Sequence, residues 1–311
     1  VLNRPRALGL LIGVAADAIW GDPARWHPVA GFGAFAGRLE RHCYRDSRAA
    51  GLAHLGLSAG SIVLGAALLA RRTGPVVEVA SVAAGTWAVL GGRTLAGTAT
   101  RLADRLDADD PAGARELIPH LCGRDPDTLD PAGMVRAACE SVAENTADAV
   151  VGPLLWGALA GLPGLLGYRA VNTLDAMVGH RSPRYLRFGW AAARTDDLAN
   201  LAPARVTAAL AVALAPLLGG RPADAVRAWR RDAGAHPSPN AGPVEAAAAG
   251  ALGIRLGGRT VYPYGVEERP TLGEGDPPTR SDLRRMVRLS RLVGWCAAGL
   301  AAAVALAVQK R

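Results

Sequence analysis

The chain has 311 residues, of which 50% are hydrophobic and 20% charged, and it carries a net charge of +8. Its mean hydropathy is positive, which is high for a water-soluble protein with that charge content, and its apolar residues are mostly the small ones that let helices pack closely in lipid. Lys310 is the only lysine, and the arginines are spread along the chain. A P-loop, a Schiff-base lysine and a nucleic-acid surface are therefore argued against.

The first apolar run, Ala7–Trp20, is short and holds Asp17, which suits a re-entrant or interfacial helix. It follows a basic start (Arg4, Arg6) with no small-x-small cleavage site, so it is expected to be retained rather than removed as a signal. Next comes "WGDPARWHPV" (Trp20–Val29), a Pro-rich turn that presents Asp22 and His27. A plain helix-capping turn is an equally good account of it. Gly51–Ala70 and Gly74–Gly92 are long enough to cross a hydrocarbon core of roughly 30 Å. Arg71-Arg72 forms the tip between them, and a second basic stretch (Arg38, Arg41, Arg45, Arg48) lies at the other end of the Gly51–Ala70 helix. Loop charge therefore gives no orientation.

Residues 93–149 read as a polar, acid-rich connection. Val150–Gly167 is uncharged but interrupted by Pro153 and by Leu162-Pro163-Gly164, and Val206–Gly220 is short and contains Pro216. Residues 221–291 read as a small polar lobe with Pro/Gly punctuation. Leu292–Val308 is the last good membrane candidate. Cys43, Cys122, Cys139 and Cys296 form no C-x-x-C pair and read as packing residues in a reducing compartment. The expectation is an all-α, polytopic integral membrane protein, one membrane-embedded domain over 1–311. It would have about four to six embedded helices, some short or re-entrant.

The polar residues next to the apolar segments are unusual. "ENTAD" (Glu144–Asp148) and "VNTLD" (Val171–Asp175) both read N-T-x-D, so Asn145 and Asp148, like Asn172 and Asp175, would share a helical face. "RTDDLAN" (Arg194–Asn200) repeats the idea with Asp196 or Asp197 set against Asn200. Hard oxygen ligands presented this way suit Mg²⁺ shared with phosphate oxygens, and nearby arginines suit a phosphate clamp. Helix capping and surface pairing explain any one such cluster. Three of them beside apolar segments, where stray carboxylates are costly, are harder to explain that way. "HPSPNAG" (His236–Gly242) is a second rigid turn, whose amides, with His236, Ser238 and Asn240, could cradle an anion or serve only as a linker. H-E-x-x-H and Rossmann fingerprints are missing from the sequence.

Five motifs, "GDPARWHPV", "ESVAENTADAVVGPLLW", "YRAVNTLDAMVGH", "AARTDDLANLAPAR" and "HPSPNAGPVEAAAAGALGIRLGG", occur in one order between about Asp17 and Gly275. In this the chain resembles the adenosylcobinamide-phosphate synthases, the CobD/CbiB family of cobalamin biosynthesis. The resemblance implies an ATP-dependent ligase that joins adenosylcobyric acid to (R)-1-aminopropan-2-ol or its O-phosphate, with ATP and Mg²⁺ required. It implies a catalytic and metal shell of Asp148, Asp175, Asp196 and Asp197. Asn145, Arg169, Asn172, Arg194, Asn200, Arg205, His236, Ser238 and Asn240 would hold nucleotide, phosphate or substrate. His27 or His236 would take the proton from the amine. It also implies the cell membrane as location, with other membrane enzymes of the pathway as neighbours, while the prolines and short lengths of the flanking segments lead to the expectation that the motifs converge on one cytoplasm-facing site. An intramembrane prenyltransferase, suggested by D-D-x-x-N, and a non-enzymatic scaffold for corrin enzymes are the competing readings.

Overall fold

The computed structural model describes residues 3–22, 27–71, 74–180, 182–262 and 265–308. The Pro23–Trp26 part of the first turn lies outside them. Helix accounts for 78% of the chain, and the expected all-α membrane architecture is present. Among the described residues, five stretches are long and apolar enough to cross a bilayer: Arg48–Arg71, Pro75–Asp107, Pro131–Val178, Leu201–Leu218 and Arg280–Ala307.

The chain divides into two compact units. Helices α1 (Arg4–Trp20), α2 (Pro28–Cys43), α3 (Arg48–Arg71) and α4 (Pro75–Val89) belong to the first. The second takes α5 (Gly92–Asp107), α6 (Pro111–Arg115) and α7 (Pro131–Thr146). The chain returns to the first unit for α8 (Gly152–Val178) and α9 (Trp190–Ala199). It then completes the second with α10 (Leu201–Leu214), α11 (Pro222–Asp232), α12 (Ala241–Leu252) and strands β1 (Leu256–Tyr262) and β2 (Gly265–Leu272). The last helix, α13 (Arg280–Ala307), begins in the second unit and ends in the first. Many helices start as the sequence dictates: Pro131 opens α7 behind Asp130, whose Oδ1 accepts from Gly133 N at 2.7 Å.

In the first unit, α1 lies along α4. Gly9 and Gly13 make the approach possible, since a Cβ on Gly9 would stand 2.8 Å from Val82 Cβ and one on Gly13 would collide with Thr86. Ala36, Ala59, Leu174, Val178 and Phe188 form a buried apolar cluster that joins α2, α3, α8 and the turn before α9.

The decisive feature is α8, which is two helical arms rather than one. Gly161 adopts φ 64°, ψ −146°, a conformation essentially reserved for glycine, and the chain turns back there. A Cβ at Gly152 would run into the Tyr168 ring, and one at Gly157 would stand 2.7 Å from Leu165 Cδ1. Contacts of this kind require antiparallel arms. Pro163 supplies no N–H, so the turn frees carbonyls, and Arg6 Nη1 donates to both Ala158 O and Leu159 O at 3.1 Å. Helix continues from α7 through 147–151 into the first arm without interruption, and the whole stretch Pro131–Val178 is long and apolar enough to lie in a membrane.

In the second unit, β1 and β2 pair antiparallel with a bulge between Leu256 and Gly258. No expected element corresponds to this hairpin. Its strands alternate polar and apolar residues only briefly between Gly and Pro, so the punctuation dominates the pattern. Arg136 and Glu140, one turn apart on α7, grip the bulge: Arg136 Nη1 donates to Gly257 O at 2.7 Å, and Glu140 Oε1 accepts from Gly257 N at 2.8 Å.

Candidate active site

The reversal at Gly161 brings the two ends of the hairpin side by side in the first unit. Asp148 precedes the first arm, inside a π-turn (Ala147–Val151). That wider turn breaks the regular α spacing on which the shared face of Asn145 and Asp148 was expected. Asn145 donates instead to Ser141 O, at 2.9 Å, and to Ser141 Oγ. Asp148 meets the far end of the hairpin: Asn172 Nδ2 lies 3.3 Å from Asp148 Oδ2 and 3.3 Å from Asp196 Oδ1. One amide thus bridges two carboxylates from segments far apart in sequence.

Neighbouring groups hold this arrangement. Arg169 Nη1 donates to Asn172 Oδ1 at 3.1 Å, which directs the amide N–H groups at the carboxylates. Asn200 Nδ2 donates to Asp196 Oδ2 at 2.9 Å, the four-residue spacing expected within "DDLAN". Tyr168 OH donates to Asn200 Oδ1 at 2.6 Å. Burial pushes the Asp196 carboxyl up, and hydrogen bonds from Asn200 and Asn172 oppose that rise. The Nε–H of Arg169 is buried and has no hydrogen-bond partner among the described residues. An orphaned cationic donor beside two carboxylates is what a site for an anionic, metal-bound ligand requires.

The first polar turn also comes here. Asp22 is near enough for its charge to act on Arg169, and His27 Nε2 lies 3.8 Å from Asp22 Oδ2. His27 Nδ1 accepts from Val29 N at 3.2 Å and caps α2. Asp175, Arg194 and Asp197 share these helices but make local contacts. Asp175 lies against the backbone of Gly179, and Arg194 reaches Asp197 at 3.4 Å on the exposed side of α9. Adjacent in sequence, Asp196 and Asp197 therefore serve different surroundings.

The remaining expected residues gather in the second unit. Arg205 Nη1 donates to Asn240 Oδ1 at 2.8 Å. The amides of the "HPSPNAG" turn are engaged locally: Ser238 Oγ accepts from Asn240 N and Ala241 N and so caps α12, while Ser238 N lies 3.1 Å from His236 Nδ1. His236 is buried, with Arg269 Nη1 3.0 Å from its Nε2 and Glu245 Oε1 3.8 Å away. A guanidinium only donates, so His236 must offer the lone pair of Nε2 to Arg269. Burial and the charges of Glu140 and Glu144 hold the Glu245 carboxyl well above its usual range. The buried Arg124–Glu140 pair completes this polar interior.

Sequence reasoning missed Tyr168, Arg124, Glu140, Glu245 and Arg269. Tyr168 stands one turn before Asn172 and was within reach of the same spacing argument. The others pair across long separations and leave no local pattern.

Among the described residues, no three His, Cys, Asp or Glu side chains come close enough to enclose a metal ion. The Asp148 and Asp196 carboxylates, held by the two amide N–H groups, nonetheless suit Mg²⁺, which keeps several waters and is usually bound by one or two carboxylates together with substrate phosphate.

Fold and site together define a multi-span helical membrane protein with an acid–amide–arginine cluster at the open end of a folded-back helical hairpin. The chain belongs to the CobD/CbiB family of cobalamin biosynthesis: the family model described as CobD/Cbib protein matches residues 10–290. It is 58% identical over 298 residues to the cobalamin biosynthesis protein CobD of Mycobacterium tuberculosis (strain CDC 1551 / Oshkosh), covering 96% of this chain and 95% of that one. The proteins of the same name from Chromobacterium violaceum and Geobacter metallireducens are 42% and 44% identical, over 97% and 85% of this chain and 97% and 86% of theirs. No solved structure matches the chain.

Proposed function

We propose that this protein catalyses ATP-dependent amide formation between adenosylcobyric acid and (R)-1-aminopropan-2-ol or its O-phosphate, giving adenosylcobinamide or its phosphate. The observation that carries the reading is the Asp148–Asn172–Asp196 bridge beside the orphaned Arg169 Nε–H. A carboxylate must be activated before an amine can attack it. Transfer of the γ-phosphoryl of ATP to the corrin propionate releases ADP and makes the acyl carbon electrophilic. Attack by the amine nitrogen then expels phosphate, closes the amide and releases a proton. Mg²⁺, when bound, supplies charge neutralisation for the phosphoryl oxygens.

Asp148 and Asp196 would hold that ion, Asn172 and Asn200 would orient them, and Arg169 would pair with a phosphate or carboxylate oxygen. Asp175, Asp197 and Arg194 take outer positions on the same helices. Asn145, Arg205, His236, Ser238 and Asn240 are assigned to substrate binding in the second unit. Of the two expected bases, His236 would have to leave Arg269, whereas His27 gives up a single capping bond at Nδ1. His27 is therefore the better acceptor, and the resulting imidazolium would stand 3.8 Å from the Asp22 carboxylate. The D-D-x-x-N prenyltransferase reading has less support, because the apolar segments are few and broken for a bundle that would sheathe a polyprenyl chain.

The test is corrin-dependent ADP release from membranes given ATP, Mg²⁺, adenosylcobyric acid and aminopropanol phosphate. Corrin-independent turnover, or none, overturns the ligase; membrane recruitment of corrin enzymes without turnover favours a scaffold. The site is placed at the cytoplasmic face of the cell membrane, with lipid as its surroundings and other membrane enzymes of cobalamin synthesis as neighbours. Cysteines introduced at 148 and 180, in a chain freed of its native four, should label from the cytoplasmic side; labelling from opposite sides refutes this placement.

A further inference from the structure

We infer that Tyr168 is a positioning residue for the Asp148–Asp196 carboxylate pair, acting through Asn200. The inference rests on reading that pair as the Mg²⁺ and phosphate site. A side-chain amide has a donor end and an acceptor end of nearly equal size, and a half-turn exchanges them without changing its shape. Asn200 supports Asp196 only while Nδ2 faces it; the opposite orientation would set an amide oxygen against a carboxylate oxygen. Backbone geometry does not decide between the two.

The Tyr168 hydroxyl reinforces one of them: it donates to Asn200 Oδ1 at 2.6 Å and so engages the acceptor end of the amide while Nδ2 faces Asp196 Oδ2. Tyr168 is 4% exposed, and its ring is held against the backbone of Gly152 on the opposite arm, where any side chain would strike the ring and hydroxyl. The hydroxyl is thus fixed by the hairpin itself. Arg169, the next residue, does the same for Asn172. Two consecutive residues of one arm each orient one amide, and the two amides together hold both carboxylates. Partners standing behind metal ligands typically set 10–100-fold of metal affinity.

The test titrates Mn²⁺, an Mg²⁺ surrogate visible by electron paramagnetic resonance, into the purified protein in detergent. Wild type, Y168F, N200A and Y168F/N200A are compared. Phe keeps the ring against Gly152, and metal-free thermal midpoints report any purely structural effect. The expected result is an approximately tenfold weaker Mn²⁺ affinity in Y168F, with the double variant no weaker than N200A, because Tyr168 acts only through that amide. Unchanged affinity in Y168F, or losses that multiply in the double variant, overturns the role of Tyr168 while leaving the metal site standing. A wild type that binds no Mn²⁺ overturns the metal reading itself, and this inference with it.

Discussion

Asn172 Nδ2 stands 3.3 Å from Asp148 Oδ2, although 24 residues and an entire helical hairpin separate them. The same nitrogen lies 3.3 Å from Asp196 Oδ1, a further 24 residues along the chain. One amide is thus the common element of three segments, and its removal should be more damaging than that of any single carboxylate neighbour on the periphery. N172A is expected to lower ADP-forming turnover roughly 10–100-fold, whereas D197A on the exposed side of α9 should stay within a few-fold of wild type. Equal losses in the two variants would show that the bridge has no special part.

The elevated Asp196 carboxyl makes two opposite predictions for pH. Metal binding needs the carboxylate, so Mg²⁺ half-saturation should worsen as pH falls toward the raised titration of Asp196. Metal-free stability runs the other way. The native state holds the Asp196 proton more tightly than the unfolded chain does, so stability is full below the unfolded value and falls as pH rises through the folded one. Thermal melts of metal-free protein across that range should show this slope in wild type and lose it in D196N.

Reversal of α8 depends on Gly161 and on the Arg6 guanidinium that serves Ala158 O and Leu159 O. G161A forces a Cβ into a glycine-only conformation at about 1–3 kcal/mol. R6A leaves two carbonyls without their donor, at about 1–3 kcal/mol. Both should lower the thermal midpoint in detergent, and R6K should recover only part of the loss, since one ammonium lacks the planar reach of a guanidinium. An unchanged midpoint in G161A would mean that the turn is not fixed by that residue.

Glu245 offers a test in the second unit. Burial, with Glu140 and Glu144 nearby, raises its carboxyl, so the protein gains nothing from ionising it. Stability contributed by the protonated group is present at low pH and lost as pH rises toward the folded value. E245Q, which mimics the neutral form, should therefore be as stable as wild type in acid and more stable at alkaline pH. Loss of stability at every pH would instead assign Glu245 a needed charge facing Arg269.

Much of the site was legible because its parts are local. The four-residue step from Asp196 to Asn200 is a real hydrogen bond, and Arg169 and Asn172 meet over three residues. The prolines of Val150–Gly167 announced an interrupted segment, and Gly161 breaks the helix there. Other parts were not legible. A π-turn at Asp148 cannot be distinguished from an α-turn by spacing. The hairpin β1–β2 hid behind its own glycines and prolines. Arg124 and Glu140, or His236 and Arg269, are ordinary polar residues until the fold brings them together.

The turn at Gly161 also bears on how such a chain can be made. A helix that crossed the bilayer at this point would have to carry either Asp148 or Arg169 to the far side. Each such residue costs about 2.5–3.5 kcal/mol at the hydrocarbon centre. Because the chain folds back at Gly161 instead, Asp148 and Arg169 finish at the same end of the hairpin, and residues 149–168 between them hold no Asp, Glu, Lys or Arg. The acids, amides and guanidinium are left at that end and assemble as the second arm closes on the first.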